Sequence, residues 1–354
     1  MFKWVSALLK GGESEALEVV KSQRLEPTLT DEEEAAAKDT MTTLAGPWAL
    51  GKAAPSADIS AVREHVLMDL DALSRVCESN LDKGFVIRLA QTLAAQDLNL
   101  PQFPDVAREL NEMMSDPRTD ASRLARLVER DPSLVQRVWT QASSARYRRP
   151  PEGLHEAIAR IGTSQLWRIA MRAAFDCAVF KVPQFQDEVE DVRLHGYVVA
   201  ELASWMASEM RGPAYLSGLL HDVGKLIIFR SASEGSPGEG PSQEILEKVI
   251  NDHHSSVGML VCEAWGMDGA ISLGVGFHHR PSEATELHGR VAWMVRVADI
   301  LAHTAIHERS GKGAPGYIAL SRIQGVNLDV DEAMKQAQQA LDRFSAPTAA
   351  KRAS

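Results

Sequence analysis

Leu216, Leu219, Leu220, Val223, Leu226 and Ile227 form an apolar stripe at helical spacing, and His221, Asp222 and Lys225 interrupt it. Polar groups in so hydrophobic a segment are costly to bury without partners, so the fold has to bring partners to them. His221 and Lys225 stand four apart, on one helical face, and Gly224 leaves room for a ligand or a neighbouring helix to come close. Similar side chains recur through the C-terminal half: His195, His221, Asp222, His254, His278, His279 and Asp299. Imidazoles and carboxylates are natural ligands of divalent transition metals, and these spacings suit one site built from several helices. Asp191 stands four residues before His195, and Asp299 falls at the edge of a packing stripe of Val291, Val295, Ala298 and Ala302, where a carboxylate wants a cation.

The other histidines read as core or surface residues: His253, His288, His303 and His307 are set aside, although nothing in the residues themselves chooses between His253 and its neighbour His254. The adjacent pair His278 and His279, followed by Arg280 and Pro281, can converge on one pocket at a helix end.

Helical periodicity dominates elsewhere. Ile59, Val62, Val66, Leu70 and Leu73 step by three or four, as do Leu124, Leu127, Val128, Val135 and Val138, and strand alternation is scarce. Asp31 begins a capped helix that Gly46 and Pro47 end, residues 51–58 read as a linker, and Asp58 caps a helix reaching residue 79. Two prolines, Pro101 and Pro104, force an extended segment before a helix starting near Asp105, and punctuation at Asp116-Pro117, Asp131-Pro132 and Arg149-Pro150-Pro151 predicts four or five short helices to residue 175. The segment Ser231–Ser242 is read as a loop too polar to be buried, Asp331 as the cap of a helix to about Phe344, and residues 346–354 as a disordered tail.

At 354 residues the chain is long enough for two domains, or for one domain with an extension. Its apolar share of 45% is that of a globular protein, and no apolar run is long enough to span a bilayer. The short apolar start ends at Lys10-Gly11-Gly12-Glu13 without a cleavage site, and Cys77, Cys177 and Cys262 form no paired motif, so a cytoplasmic location is expected. Net charge is −10, distributed as about −6 over residues 1–100, +2 over 101–180 and −6 over the rest, which argues against a nucleic-acid partner. In the basic middle every cation is an arginine, including Arg146, Arg148, Arg149, Arg160, Arg168 and Arg172, and arginine forks suit phosphate or carboxylate.

The order of motifs resembles the HD superfamily, named for its His-Asp doublet, and more closely its HDOD branch. Leu100-Pro-Gln-Phe-Pro104, Asp131-Pro-Ser-Leu134, Ala157-Ile-Ala-Arg-Ile-Gly162 and His195-Gly-Tyr-Val-Val-Ala200 are similar to successive motifs of that branch. Gly218-Leu-Leu-His-Asp-Val-Gly-Lys225 is close to the family's Gly-Leu-Leu-His-Asp-Ile-Gly-Lys, and His254-Ser-Ser-Val-Gly258, Trp265-Gly266, Phe277-His-His-Arg-Pro281 and Ala298-Asp-Ile-Leu301 complete the series. The family register favours His254 over His253.

This resemblance implies an all-α fold with an HDOD domain over 98–345; residues 1–97, which the resemblance does not cover, read as an acidic helical extension with a docking or sensing role. The domain divides into a helical subdomain (98–180), an HD-like core (181–310) and C-terminal helices (311–345). It also implies two divalent ions, of iron, manganese, zinc, nickel or cobalt. One would use His195, His221, Asp222 and Asp299; the other would share Asp222 and use His254, His278 and His279. Lys225 would meet substrate phosphate or the nucleophilic water, with Asp191 an additional ligand. HDOD proteins serve as bacterial signalling and regulatory output modules, so a signalling protein or a nucleotide is the expected partner, and homo-oligomerisation stays open. The alternative is a metal-dependent phosphohydrolase or phosphodiesterase acting on a nucleotide or cyclic dinucleotide. HD-GYP phosphodiesterases follow their paired histidines with Glu and then Gly-Tyr-Pro; Arg280-Pro-Ser-Glu283 stands here instead, which argues against cyclic di-GMP cleavage.

Overall fold

The computed structural model describes residues 59–345 apart from 96–97, 99, 101–103, 115–118, 145–148, 177–181, 208–209, 235–239, 282–283, 285 and 310–327. The expectations for Asp31, for the 51–58 linker, for Arg146, Arg148 and Cys177, and for the tail at 346–354 lie outside the described residues, as does the side chain of His288. Among the described residues the chain is all-α, with no strand, and no described helix is long and apolar enough to cross a membrane.

Two helices come first, α1 (Ile59–Val76) and α2 (Asn80–Ala94). The first stops short of residue 79 because the Ser79 hydroxyl caps the second, accepting from the amides of Leu81 and Asp82. The pair packs into the same core as helices much later in the chain. Val66, Leu70, Phe85 and Leu89 belong to one buried cluster with Leu226, Val257 and Leu260. Asp82 accepts from the Ser242 amide at 2.6 Å, and Arg230 donates to the Leu98 carbonyl at 3.1 Å.

Five short helices come next: α3 (Asp105–Met113), α4 (Ala121–Val128), α5 (Pro132–Ala142), α6 (Leu154–Ile161) and α7 (Thr163–Phe175). Local chemistry explains their starts. Asp120 caps α4, and Asp131 caps α5 through the amides of Ser133 and Leu134, with Pro132 in the first turn where its missing N–H is harmless. The Trp167 indole donates to Asn111 at 3.0 Å and ties α7 to α3.

The larger half is built on α8 (Gln186–Met206), which packs against α9 (Arg211–Leu220), α13 (Glu286–Arg309) and α14 (Val330–Ser345). Between these lie α10 (Val223–Ser233), α11 (Gln243–Ala264) and α12 (Gly269–Gly276). A second buried cluster joins Val198, Leu202, Val295, Ala298, Ala337 and Leu341, and its alanines let α13 and α14 sit close to α8.

Three sequence expectations change here. The stripe from Leu216 to Ile227 is two helices, because the chain turns at His221 and Asp222 between α9 and α10. Ser231 is buried, since α10 continues through Ser233 before the polar loop begins. The cap of α14 is Asp329, whose carboxylate accepts from the Glu332 amide at 3.0 Å; Asp331 lies inside the first turn, where its charge complements the helix dipole.

Gly224 sets the approach of α10 to α11. A Cβ there would lie 2.0 Å from the His254 carbonyl oxygen and 2.7 Å from the Gly258 nitrogen, so the room left by this glycine is filled by a helix backbone. Gly224→Ala therefore has to push α11 away. The expected cost is about 1–3 kcal/mol, read as a thermal midpoint several degrees lower. Gly269→Ala, where nothing lies within 4 Å, leaves the midpoint unchanged. Equal midpoints for the two variants would contradict this packing.

Candidate metal centre

The turn between α9 and α10 places His221 and Asp222 inside the protein, where both are buried. His195 comes from α8, His254 from α11, His278 and His279 from the segment after α12, and Asp299 from α13. All seven meet in one cluster. His195 Nε2 lies 2.9 Å from Asp299 Oδ1, His221 Nε2 lies 3.4 Å from Asp222 Oδ2, and His254 Nε2 lies 3.6 Å from Asp222 Oδ1. Asp222 thus turns one oxygen toward His254 and the other toward His221, while Lys225 donates to Oδ2 at 2.7 Å.

Backbone carbonyls orient the rings. Nδ1–H of His221 donates to Gly218, that of His254 to Ile250 and that of His278 to Val275, at 2.8, 2.6 and 2.6 Å. A ring protonated on Nδ1 and neutral overall carries its lone pair on Nε2. The Nε2 atoms of His221 and His278 are buried and have no hydrogen-bond partner, and the same holds for Nδ1 of His195. His279 Nε2 lies 3.0 Å from His254 Nε2, and Arg296 donates to His279 Nδ1 at 3.0 Å. Because the His254 nitrogen is an acceptor, the shared proton belongs to His279.

Burial keeps these imidazoles uncharged. It pushes His254 down to about 3, with Lys225 acting in the same direction, and pushes His279 down to about 4. His221 is lowered, and His278 is driven well below the ordinary range, both mainly by burial. For the carboxylates burial works the other way, but nearby cations and rings outweigh it. Lys225, His221 and His254 hold Asp222 well below the usual range, and His303 and His195 do the same for Asp299.

Ligand atoms of His254, His278 and His279 lie within 4.8 Å of one another, as do those of His195, His221 and Asp222, and those of His195, Asp299 and His303. The donor set fits a divalent ion: neutral nitrogens with buried, unused lone pairs beside ionised carboxylates. Asp191 is half-buried one turn before His195 and belongs to none of these groups.

His303 corrects the sequence reading. Taken singly it reads as a core or surface histidine, yet its Nε2 lies 3.3 Å from Asp299 Oδ1 and its ring centroid 4.2 Å from that of His195, with the side chain about half exposed. The signal in the sequence is its position four residues after Asp299, on the same helix face. Arg296, three residues before Asp299, is missed in the same way. The structure separates the ambiguous pair: His254 faces the cluster, while burial lowers His253 against the opposing pull of Asp252 and of Asp69 on α1.

The family model for the HDOD domain matches residues 100–281. An uncharacterised protein of Treponema pallidum is 23% identical in an alignment 216 residues long that covers 56% of this chain and 41% of that protein, so the match spans less than half of the relative's length. Among solved structures, a candidate metal-dependent phosphohydrolase from Shewanella amazonensis has a TM-score of 0.52 at 18% identity, covering 79% of this chain and 99% of that one. A candidate signal transduction protein from Marinobacter aquaeolei has 0.52 at 22%, covering 76% and 66%. An HDOD domain protein of unknown function from Geobacter sulfurreducens has 0.50 at 19%, covering 73% and 99%. At these identities the likeness is one of fold.

The buried neutral histidines make a pH prediction for the metal-free protein. In the unfolded chain a histidine titrates near 6.5, whereas His254 and His279 hold out to about 3 and 4, so below 6.5 the unfolded state binds more protons. Stability falls as pH drops through this window. A thermal midpoint that declines from pH 7 to pH 4 is expected, and a flat one would contradict neutral burial.

Proposed function

We propose, for a chain that belongs to the HDOD domain family, a signalling or regulatory output protein whose core binds divalent metal and which acts mainly through a partner. The observation that carries the metal is the set of buried, unpartnered nitrogens on His221, His278 and His195 beside two ionised carboxylates. In this reading His195, His221, Asp222 and Asp299 hold one ion and His254, His278 and His279 a second, with Asp222 shared. His303 joins the first set and Asp191 stands by it. The HDOD domain is taken as 98–345, with 1–97 as the extension that receives a signal or partner, in the cytoplasm.

A second reading, a metal-dependent phosphohydrolase or phosphodiesterase, is favoured by Lys225, whose ammonium 2.7 Å from the Asp222 carboxylate puts a positive charge beside the ligand cluster where a phosphate oxygen would need one. Bound metal would supply Lewis acidity toward a phosphoryl oxygen. The chain's own contributions are distinct from that. Lys225 would bind a phosphate oxygen, Arg296 would orient His279, and the carbonyls of Gly218, Ile250 and Val275 would keep the rings turned inward.

Metal analysis of the purified protein, with turnover of a broad panel of nucleotides and phosphodiesters by wild type and Asp222→Ala, separates the readings. Wild type is expected to hold metal, and Asp222→Ala to bind it about 10–100-fold more weakly or worse. Bound metal without turnover supports the regulatory protein. Metal-dependent turnover lost in Asp222→Ala overturns it in favour of the enzyme, and a wild type that binds no divalent ion overturns both.

A further inference from the structure

Away from the histidines, a cavity of about 190 Å³ opens between α7, α8, the start of α9 and α14. Arg168, Arg211 and Arg343 line it together with Glu201, Ser204 and Trp205. Glu201 is the acid among these described residues, and its side chain is 12% exposed. It accepts from Arg168 and, at 3.3 Å, from Arg172, and lies 3.8 Å from Arg343. Arg168 also donates to the Ser204 hydroxyl at 3.0 Å. One carboxylate therefore orients a fan of guanidiniums that it cannot neutralise, in a protein whose net charge is −10. Beneath the fan the hydroxyl of Tyr215 is buried without a hydrogen-bond partner, and the Arg168 guanidinium sits 5.0 Å from that ring's centroid. At the rim, Trp205 is 39% exposed, presenting an indole to whatever enters.

The exposed apolar side chains Met68, Val76, Leu81 and Ile87 on α1 and α2 have nothing on them to identify an occupant. Arg149 and Arg160 are occupied by Glu152, Glu156 and backbone carbonyls.

We propose that this cavity is a second site, separate from the histidine cluster, which binds a phosphate monoester. The phosphate sits among Arg168, Arg211 and Arg343, and the planar organic part lies against Trp205. Planar guanidinium forks match phosphate oxygens, and two of the three are already held, Arg168 by Glu201 and Ser204 and Arg211 by donating its Nε–H to the Ala207 carbonyl at 3.1 Å, which lowers the entropy cost of gathering them. The site lies about two to three turns along α8 from His195.

Calorimetric titration of the EDTA-treated full chain with GMP, guanosine and inorganic phosphate tests this. GMP and phosphate are expected to bind and guanosine not to. Arg343→Ala and Arg211→Ala, both on exposed side chains, should each weaken GMP about tenfold or more, the effect of losing one charge-assisted hydrogen bond. Their melting temperatures should match wild type. Trp205→Ala should weaken GMP and leave phosphate unaffected, and Asp222→Ala should bind GMP as wild type does. Absence of binding by GMP and phosphate overturns the proposal. So does binding that survives both arginine changes and disappears in Asp222→Ala, which would put the anion at the histidine cluster.

Discussion

Two carboxylates, Asp222 and Asp299, are buried in the middle of the helical half, and the surrounding arrangement answers to them. A lone ionised carboxylate removed from water carries a desolvation penalty of several kcal/mol, which only close cations and hydrogen-bond donors offset. Asp222 meets Lys225 from its own helix and imidazoles from α9's end and α11; Asp299 meets His195 from α8 and His303 from its own helix. The compensating groups come from separate parts of the chain, so the relative positions of α8, α10, α11 and α13 are constrained together. The close contact at Gly224 belongs to the same requirement, since it lets α11 bring His254 to Asp222.

The histidines meet this constraint in a particular way. In His221, His254 and His278 the Nδ1 protons are taken by carbonyls three or four residues earlier in the chain, contacts that a helical turn supplies. What remains is a set of lone pairs on buried rings, those on His221 and His278 without a hydrogen-bond partner. Such an interior is poor as a packed core and well suited to a cation, which is how the need to bury two acids becomes a capacity to bind metal.

One long helix carries both polar centres. His195 lies on α8 near the cluster, while Glu201, Ser204 and Trp205, farther along the same helix, form the arginine-lined cavity with α7 and α14. The arginines that make residues 101–180 basic divide accordingly. Arg149 and Arg160 brace the start of α6 through Glu156, and Arg168 and Arg172 converge on Glu201. A composition count cannot separate these two groups, because the difference is which acid each one reaches.

The sequence by itself determined the helices and the family. Asp131 before Pro132 marks the start of α5, and the apolar steps from Ile59 onward mark α1, because caps and periodicity depend on neighbours within a turn or two. It also pointed to the seven His and Asp residues, through motif order. The tertiary structure alone decided that the helix face carrying His303 and Arg296 beside Asp299 turns toward His195 and His279, and that the stripe around the His-Asp doublet is broken into two helices. The reading of Asp331 as the cap of α14 missed by two residues, since Asp329 makes the capping hydrogen bond. The assembly of the cluster depended on contacts between residues tens to more than a hundred positions apart, such as His195 with Asp299, and no local hydrogen bond or periodicity records those distances.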